Sequence, residues 1–135
     1  MPRRPTPHPT DVELQILETL WQRGSSTVRQ VHDALAADRD TGYSTTLKMM
    51  QVMREKGLLL RDDSVRPQLY DAAVGREQTQ LLMVDDLINK AFRGSAQKLL
   101  MRILSANRVR PEELAEMQKL VQEAKLAQQT KGDDQ

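Results

Sequence analysis

Ser44-Thr45-Thr46-Leu47-Lys48-Met49-Met50-Gln51-Val52-Met53-Arg54-Glu55-Lys56-Gly57, followed at once by Leu58-Leu59-Leu60-Arg61, is where the periodicity of this chain changes. Up to Lys56 the apolar positions Leu47, Met50 and Met53, backed by Thr46 and Met49, mark one face of a helix. Ser44 is a good N-cap for it and Gly57 a C-terminal stop. Thr45, Lys48, Gln51, Val52 and Glu55 fall on the opposite face. Beyond Gly57 the reading turns to strand: a short apolar run, a turn-like stretch over 62–67 ending on a proline, then Gln68-Leu69-Tyr70-Asp71-Ala72. Two short strands about a polar, proline-containing loop make a β-hairpin.

Towards the N-terminus two further helices lead into this one. Thr10-Asp11-Val12-Glu13 is a capping-box sequence, and Val12, Ile16, Leu17, Leu20 and Trp21 recur behind it at helical spacing until Gly24. Thr27-Val28-Arg29-Gln30 repeats the box and opens a second helix with Val28, Val31 and Leu35 on one face. A polar connection over 38–42 joins it to the third. Three helices and then a hairpin is the element order of a winged helix-turn-helix domain, expected over residues 10–75. Residues 1–9, with several prolines, read as a flexible arm.

From Arg76 onward the pattern is helical again. Val84, Leu87, Ile88 and Ala91 form a stripe closed by Phe92 and Gly94; Ser95 caps a helix carrying Leu99, Leu100, Ile103 and Leu104. Pro111, with Glu112 and Glu113 beside it, opens a last helix in which Leu114, Met117, Val121 and Ala124 recur at spacings of three and four, with Leu120 alongside. These stripes have no further element to cover them. The expectation is a helical dimerisation arm over 76–126 whose interface is Leu99, Leu100, Ile103, Leu104, Leu114, Met117, Leu120, Val121 and Ala124, followed by a flexible tail over 127–135. The fold class is therefore mostly α, with a small β-hairpin wing.

Composition narrows the function classes. In 135 residues there is no cysteine, and the two histidines, His8 and His32, stand apart, so disulfides, thiolate metal sites and thiol nucleophiles are excluded. No nucleophile–base pair, glycine-rich phosphate loop or metal signature is present; the chain is not expected to be an enzyme or to need a cofactor or metal. No apolar run is long enough to cross a membrane, and residues 1–9 lack the apolar stretch of a secretory signal, which points to the cytoplasm. Net charge is +1, with ten basic against ten acidic residues in 1–75. A nucleic-acid role must therefore rest on where the charges sit.

The placement suits duplex DNA. The second helix of a helix-turn-helix pair lies in the major groove. Here its outward side offers Ser44, Thr45 and Thr46 hydroxyls at a helix N-terminus for a phosphate. Lys48 and Gln51 reach towards guanine and adenine edges, and Val52 towards a thymine methyl. Arg54, Lys56, Arg61 and Arg66 are positioned for the backbone from the helix end and the wing. Winged helices also act as protein–protein adaptors, and the near-neutral charge of 1–75 keeps that reading as the alternative.

The run Thr10-Asp11-Val12-Glu13-Leu14-Gln15-Ile16-Leu17 through Leu20-Trp21, with Gly24, Thr27-Val28 and Val31, resembles the penicillinase-repressor family of the BlaI, MecI and CopY type. So do Tyr43-Ser44-Thr45-Thr46-Leu47 through Glu55-Lys56-Gly57-Leu58, Tyr70, Phe92-Arg93-Gly94-Ser95 and Pro111-Glu112-Glu113-Leu114, which together span roughly residues 10–124. The resemblance implies a homodimeric winged-helix transcriptional repressor bound to palindromic operators. Such repressors govern antibiotic-resistance or stress genes, and a membrane sensor protease cleaves them in the β-lactam branch. The copper branch's cysteine cluster is absent, Ser95-Ala96-Gln97 stands where the cleaved Asn-Phe pair has no counterpart, and Val52 occupies a position where many relatives carry Arg.

Overall fold

The computed structural model describes residues 9–133. In order the elements are α1 (Asp11–Arg23), α2 (Val28–Leu35), α3 (Tyr43–Glu55), β1 (Leu59–Asp62), β2 (Leu69–Ala72), α4 (Arg76–Ala91), α5 (Ala96–Ser105) and α6 (Pro111–Asp133). The chain divides into two compact units, with the boundary between Asp86 and Leu87, inside α4 rather than ahead of it.

The first unit is assembled by local signals that agree with its packing. Both capping boxes close: Thr10 and Glu13 exchange backbone and side-chain hydrogen bonds at the start of α1, and Thr27 and Gln30 do so at α2. Gly24 and Gly57 take φ of 84° and 87°, left-handed values that a Cβ would strain, where α1 and α3 end. The start of α3 differs from expectation. Its N-cap is Gly42, which offers no side-chain bond, and the ladder already begins there through the Thr46 amide donating to the Gly42 carbonyl at 3.1 Å. Ser44 therefore lies within the first turn and is not the cap.

The hairpin pairs antiparallel, with Leu59 opposite Ala72 and Arg61 opposite Tyr70. A single residue from the α1–α2 connection adds to it: Ser26 and Tyr70 exchange amide and carbonyl bonds of 2.9 and 2.8 Å. This bridge ties the wing to the helices. The core beneath is Ile16, Leu17 and Leu20 of α1, Val28, Val31 and Leu35 of α2, Met50 and Met53 of α3, and Leu58, Leu59 and Tyr70 of the hairpin. With three aromatic-poor helices to fill the space, two methionines supply the adaptable bulk that branched residues would not.

The start of α4 belongs to this unit. Trp21 Nε1 donates to the Val74 carbonyl at 2.9 Å, Arg76 lies over the Trp21 ring and bonds Glu18 at 2.7 Å, and Thr79 is buried. That is why the boundary falls later than the composition suggested.

In the second unit Ser95 caps α5 by accepting from the Lys98 amide, and Arg93 and Gly94 turn the chain ahead of it with positive φ. No residue of α5 is buried. Helix α6 continues past Leu126, through most of the stretch expected as a flexible tail. The residues there are helix formers, and Thr130 Oγ1 bonds back to the Leu126 carbonyl. The expected N-terminal arm lies outside the described residues except for Pro9, which is buried.

Candidate nucleic-acid interface

Helix α3 has two chemically distinct sides. Thr46, Met50 and Met53 are each fully buried, while Ser44, Thr45, Lys48, Gln51, Val52 and Arg54 are exposed. Positions 46, 50 and 53 follow the i, i+4, i+7 spacing of one helical face, which turns positions 45, 48 and 52 outward. Among the described residues no acidic group engages Lys48 or Arg54. The outward side combines hydroxyl, ammonium, amide and a branched methyl group, and a shallow groove lined by Ser44, Thr45, Lys48, Met49 and Val52 runs along it, with Glu13 at its edge.

Three of the expected contacts are committed elsewhere. Thr46 points into the core and its hydroxyl bonds the Gly42 carbonyl, so it presents nothing outward. Its place on the Met50–Met53 face was the signal for this. Lys56 closes a 2.7 Å ion pair with Glu13 of α1. Burial by itself would raise the Glu13 carboxyl, but the Lys56 ammonium and the Thr10 amide outweigh it and hold the group below its ordinary value. Lys56 is thus the partner of a buried carboxylate. Arg61 grips Asp63 at 2.6 Å, and that carboxylate, with the Tyr70 hydroxyl, raises the guanidinium above its ordinary value. Before either cation could meet a phosphate, its own carboxylate would have to be given up.

The wing turn is organised by its own polar groups. Asp62 accepts from the Ser64 amide at 2.9 Å and from its hydroxyl, and these bonds hold the Asp62 carboxyl below its ordinary value. Arg66 donates to the Asp63 and Val65 carbonyls while staying exposed. Arg66 and Arg54 therefore remain the exposed cations at the edges of the α3 face.

Two residues that the sequence did not single out lie beside this face. Arg29, near the start of α2, places its guanidinium carbon 4.4 Å from the centroid of the exposed Tyr43 ring, at the first position of α3. His32 meets the other aspect of Tyr43 edge-on, and its Nε2 lies 2.9 Å from the Thr41 carbonyl oxygen. Nothing in the local pattern announces a contact between residues on two helices.

Among the described residues, no group of three or more His, Asp or Glu is arranged to hold a metal ion, and no helix is long and apolar enough to cross a membrane. Across residues 9–123 the chain matches the profile of the family described as penicillinase repressor. The chain belongs to the penicillinase-repressor family. Two curated relatives, each named "Transcriptional regulator BlaI" and coming from Mycobacterium tuberculosis strains CDC 1551 / Oshkosh and ATCC 25618 / H37Rv, are 36% identical to it over 96 residues. Each of these alignments covers 70% of this chain and 70% of the relative. The family match runs through both units of this penicillinase-repressor family member, so it includes the exposed face of α3 and the apolar stripes of α5 and α6.

Proposed function

We propose that this chain represses transcription as a homodimer on a two-fold symmetric DNA operator, with one copy of α3 in the major groove of each half-site. The observation that carries the reading is the division of α3: its apolar side is locked into the core, and its Thr45–Lys48–Gln51–Val52 side is left to solvent. Lys48 suits guanine O6 and N7, Gln51 suits adenine N6 and N7, and Val52 suits a thymine methyl. Ser44, Thr45, Arg54 and Arg66 take the phosphates.

The homodimer rests on the second unit. Leu100, Leu104, Leu114, Leu120 and Val121 are exposed, with Leu99, Ile103 and Met117 half-buried beside them and Ala124 on the same helix. A second copy is the occupant that a two-fold operator requires. Membership of the family supports a cytoplasmic repressor of antibiotic-resistance or stress genes, with cleavage by a sensor protease as the route to induction.

Selection of genomic fragments by the purified protein, followed by gel shifts over a range of salt, tests this reading. The expected product is a fragment set sharing an inverted repeat whose half-site centres lie about one helical turn apart or a multiple of it. Complexes without sequence preference or salt dependence would refute it and would favour a protein-binding adaptor.

A further inference from the structure

A second groove opens between the N-terminal ends of α2 and α3 and the wing, and the base-facing side of α3 makes no use of it. It encloses about 400 Å³, and its walls carry Thr27, Arg29, Tyr43, Arg66 and Gln68 but no carboxylate. Arg29 stands on one side and Arg66 on the other. Among the described residues neither has an acidic partner: Arg66 is turned onto two wing carbonyls, and Arg29 lies over the Tyr43 ring.

The Tyr43 ring is itself held. His32 packs edge-on against it with 6.1 Å between centroids, and the imidazole sits between the Thr41 carbonyl oxygen at 2.9 Å and the Asp33 carboxylate at 3.1 Å. The α2–α3 connection thereby fixes an aromatic plate, and the plate restricts where the Arg29 guanidinium can go. A guanidinium resting by its face on a ring keeps its in-plane N–H donors for a bidentate oxyanion, and it loses less side-chain freedom when it binds one.

We propose that Arg29, oriented by Tyr43, contacts a DNA backbone phosphate, with Arg66 across the groove gripping the same stretch of backbone. Tyr43 is the first residue of α3, so the groove adjoins the exposed turn carrying Ser44 and Thr45. A phosphodiester entering it would set the register of the helix on the bases. This rests on the DNA-binding reading above. In it Arg29 is a contact and Tyr43 a positioning residue.

The test uses the full chain, a duplex selected from genomic fragments and an unrelated duplex of equal length, with affinities read by fluorescence anisotropy between about 50 and 200 mM salt. Arg29→Gln should weaken both duplexes by the same factor, roughly 5- to 10-fold, and lower the salt slope by about 0.9, the release expected for one phosphate contact. Arg29→Lys should keep the slope but not the full affinity, since an ammonium lacks the planar fork. Tyr43→Phe should behave as wild type. Tyr43→Leu should weaken binding in the wild-type background and add nothing to Arg29→Gln.

Unchanged affinity and slope in a folded Arg29→Gln protein would overturn the contact, and additive losses in the double variant would overturn the positioning role. If the wild type binds with salt-dependent selectivity while Arg29→Gln is silent, this proposal alone fails. If the wild type binds no duplex, both fail together.

Discussion

Replacing Glu13 by alanine should destabilise the first unit by about 1–2 kcal/mol, and the structure says where that comes from. One carboxylate oxygen accepts from the Thr10 amide at 3.0 Å and the other from Lys56 Nζ at 2.7 Å. The reverse bond of the capping box, from the Glu13 amide to the Thr10 hydroxyl, survives because it uses backbone. Loss of the side-chain half of the box costs about 0.5–1 kcal/mol. Loss of the ion pair, whose lysine is well exposed, costs about 0.5–1 kcal/mol more. At roughly 4–8 °C per kcal/mol for a unit of this size, the melting point should fall on the order of 5–10 °C.

The pH dependence follows from the sign of the shift. The folded carboxyl sits below its ordinary 4.5, so its contribution is complete above that value and is lost as pH falls through the folded one. Urea unfolding of wild type, Glu13→Ala, Lys56→Met and the double variant, at pH 7 and again near pH 3, separates the parts. The two single costs should not add, and the Glu13→Ala cost should shrink at the lower pH. A cost below about 0.3 kcal/mol at pH 7, or one undiminished near pH 3, would refute the assignment. Because Lys56 serves Glu13, Lys56→Met should also leave DNA affinity within about twofold of wild type, well short of a lost phosphate contact.

Met50→Ala, at a fully buried position between the three helices, should cost about 2–5 kcal/mol in denaturant unfolding, and a cost under 1 kcal/mol would mean the core is not packed as described. Leu100→Glu and Val121→Glu lie at exposed positions of the isolated chain, so each should leave helical content intact while shifting the sedimenting species from dimer to monomer and removing operator binding. An intact dimer in both would place the interface elsewhere. Arg66→Ala should weaken selected and unrelated duplexes about equally and flatten the salt dependence; a loss confined to the selected duplex would make Arg66 a base-reading residue instead.

What was legible in the sequence is what neighbouring residues decide among themselves. The capping boxes at Thr10 and Thr27, the stops at Gly24 and Gly57 and the change from helical to strand period after Lys56 each depend on residues only a few positions apart. The third strand was not legible, because a bridge of one residue, Ser26, leaves no period to detect. The start of α3 was misplaced because Ser44 has cap chemistry and Gly42 has none, although the helix begins at Gly42 all the same.

The site divided in the same way. Outward positions 45, 48, 51 and 52 follow from helical geometry and the buried triplet alone. Whether a cation is free does not follow from its own segment. Lys56 meets a carboxylate 43 positions away, and Arg29 lies on a ring from another helix. Arg61 is an intermediate case, since its partner Asp63 is close in sequence yet could have faced either way from a turn.

The central claim is that the Lys48 side of α3 reads bases, and the most direct measurement is the ratio of affinities for the selected operator and an unrelated duplex, in wild type and in Lys48→Ala. A lost base contact should lower that ratio by roughly 5- to 150-fold, the equivalent of 1–3 kcal/mol of discrimination, while affinity for the unrelated duplex changes far less. Equal losses on both duplexes, leaving the ratio where it was, would contradict the account.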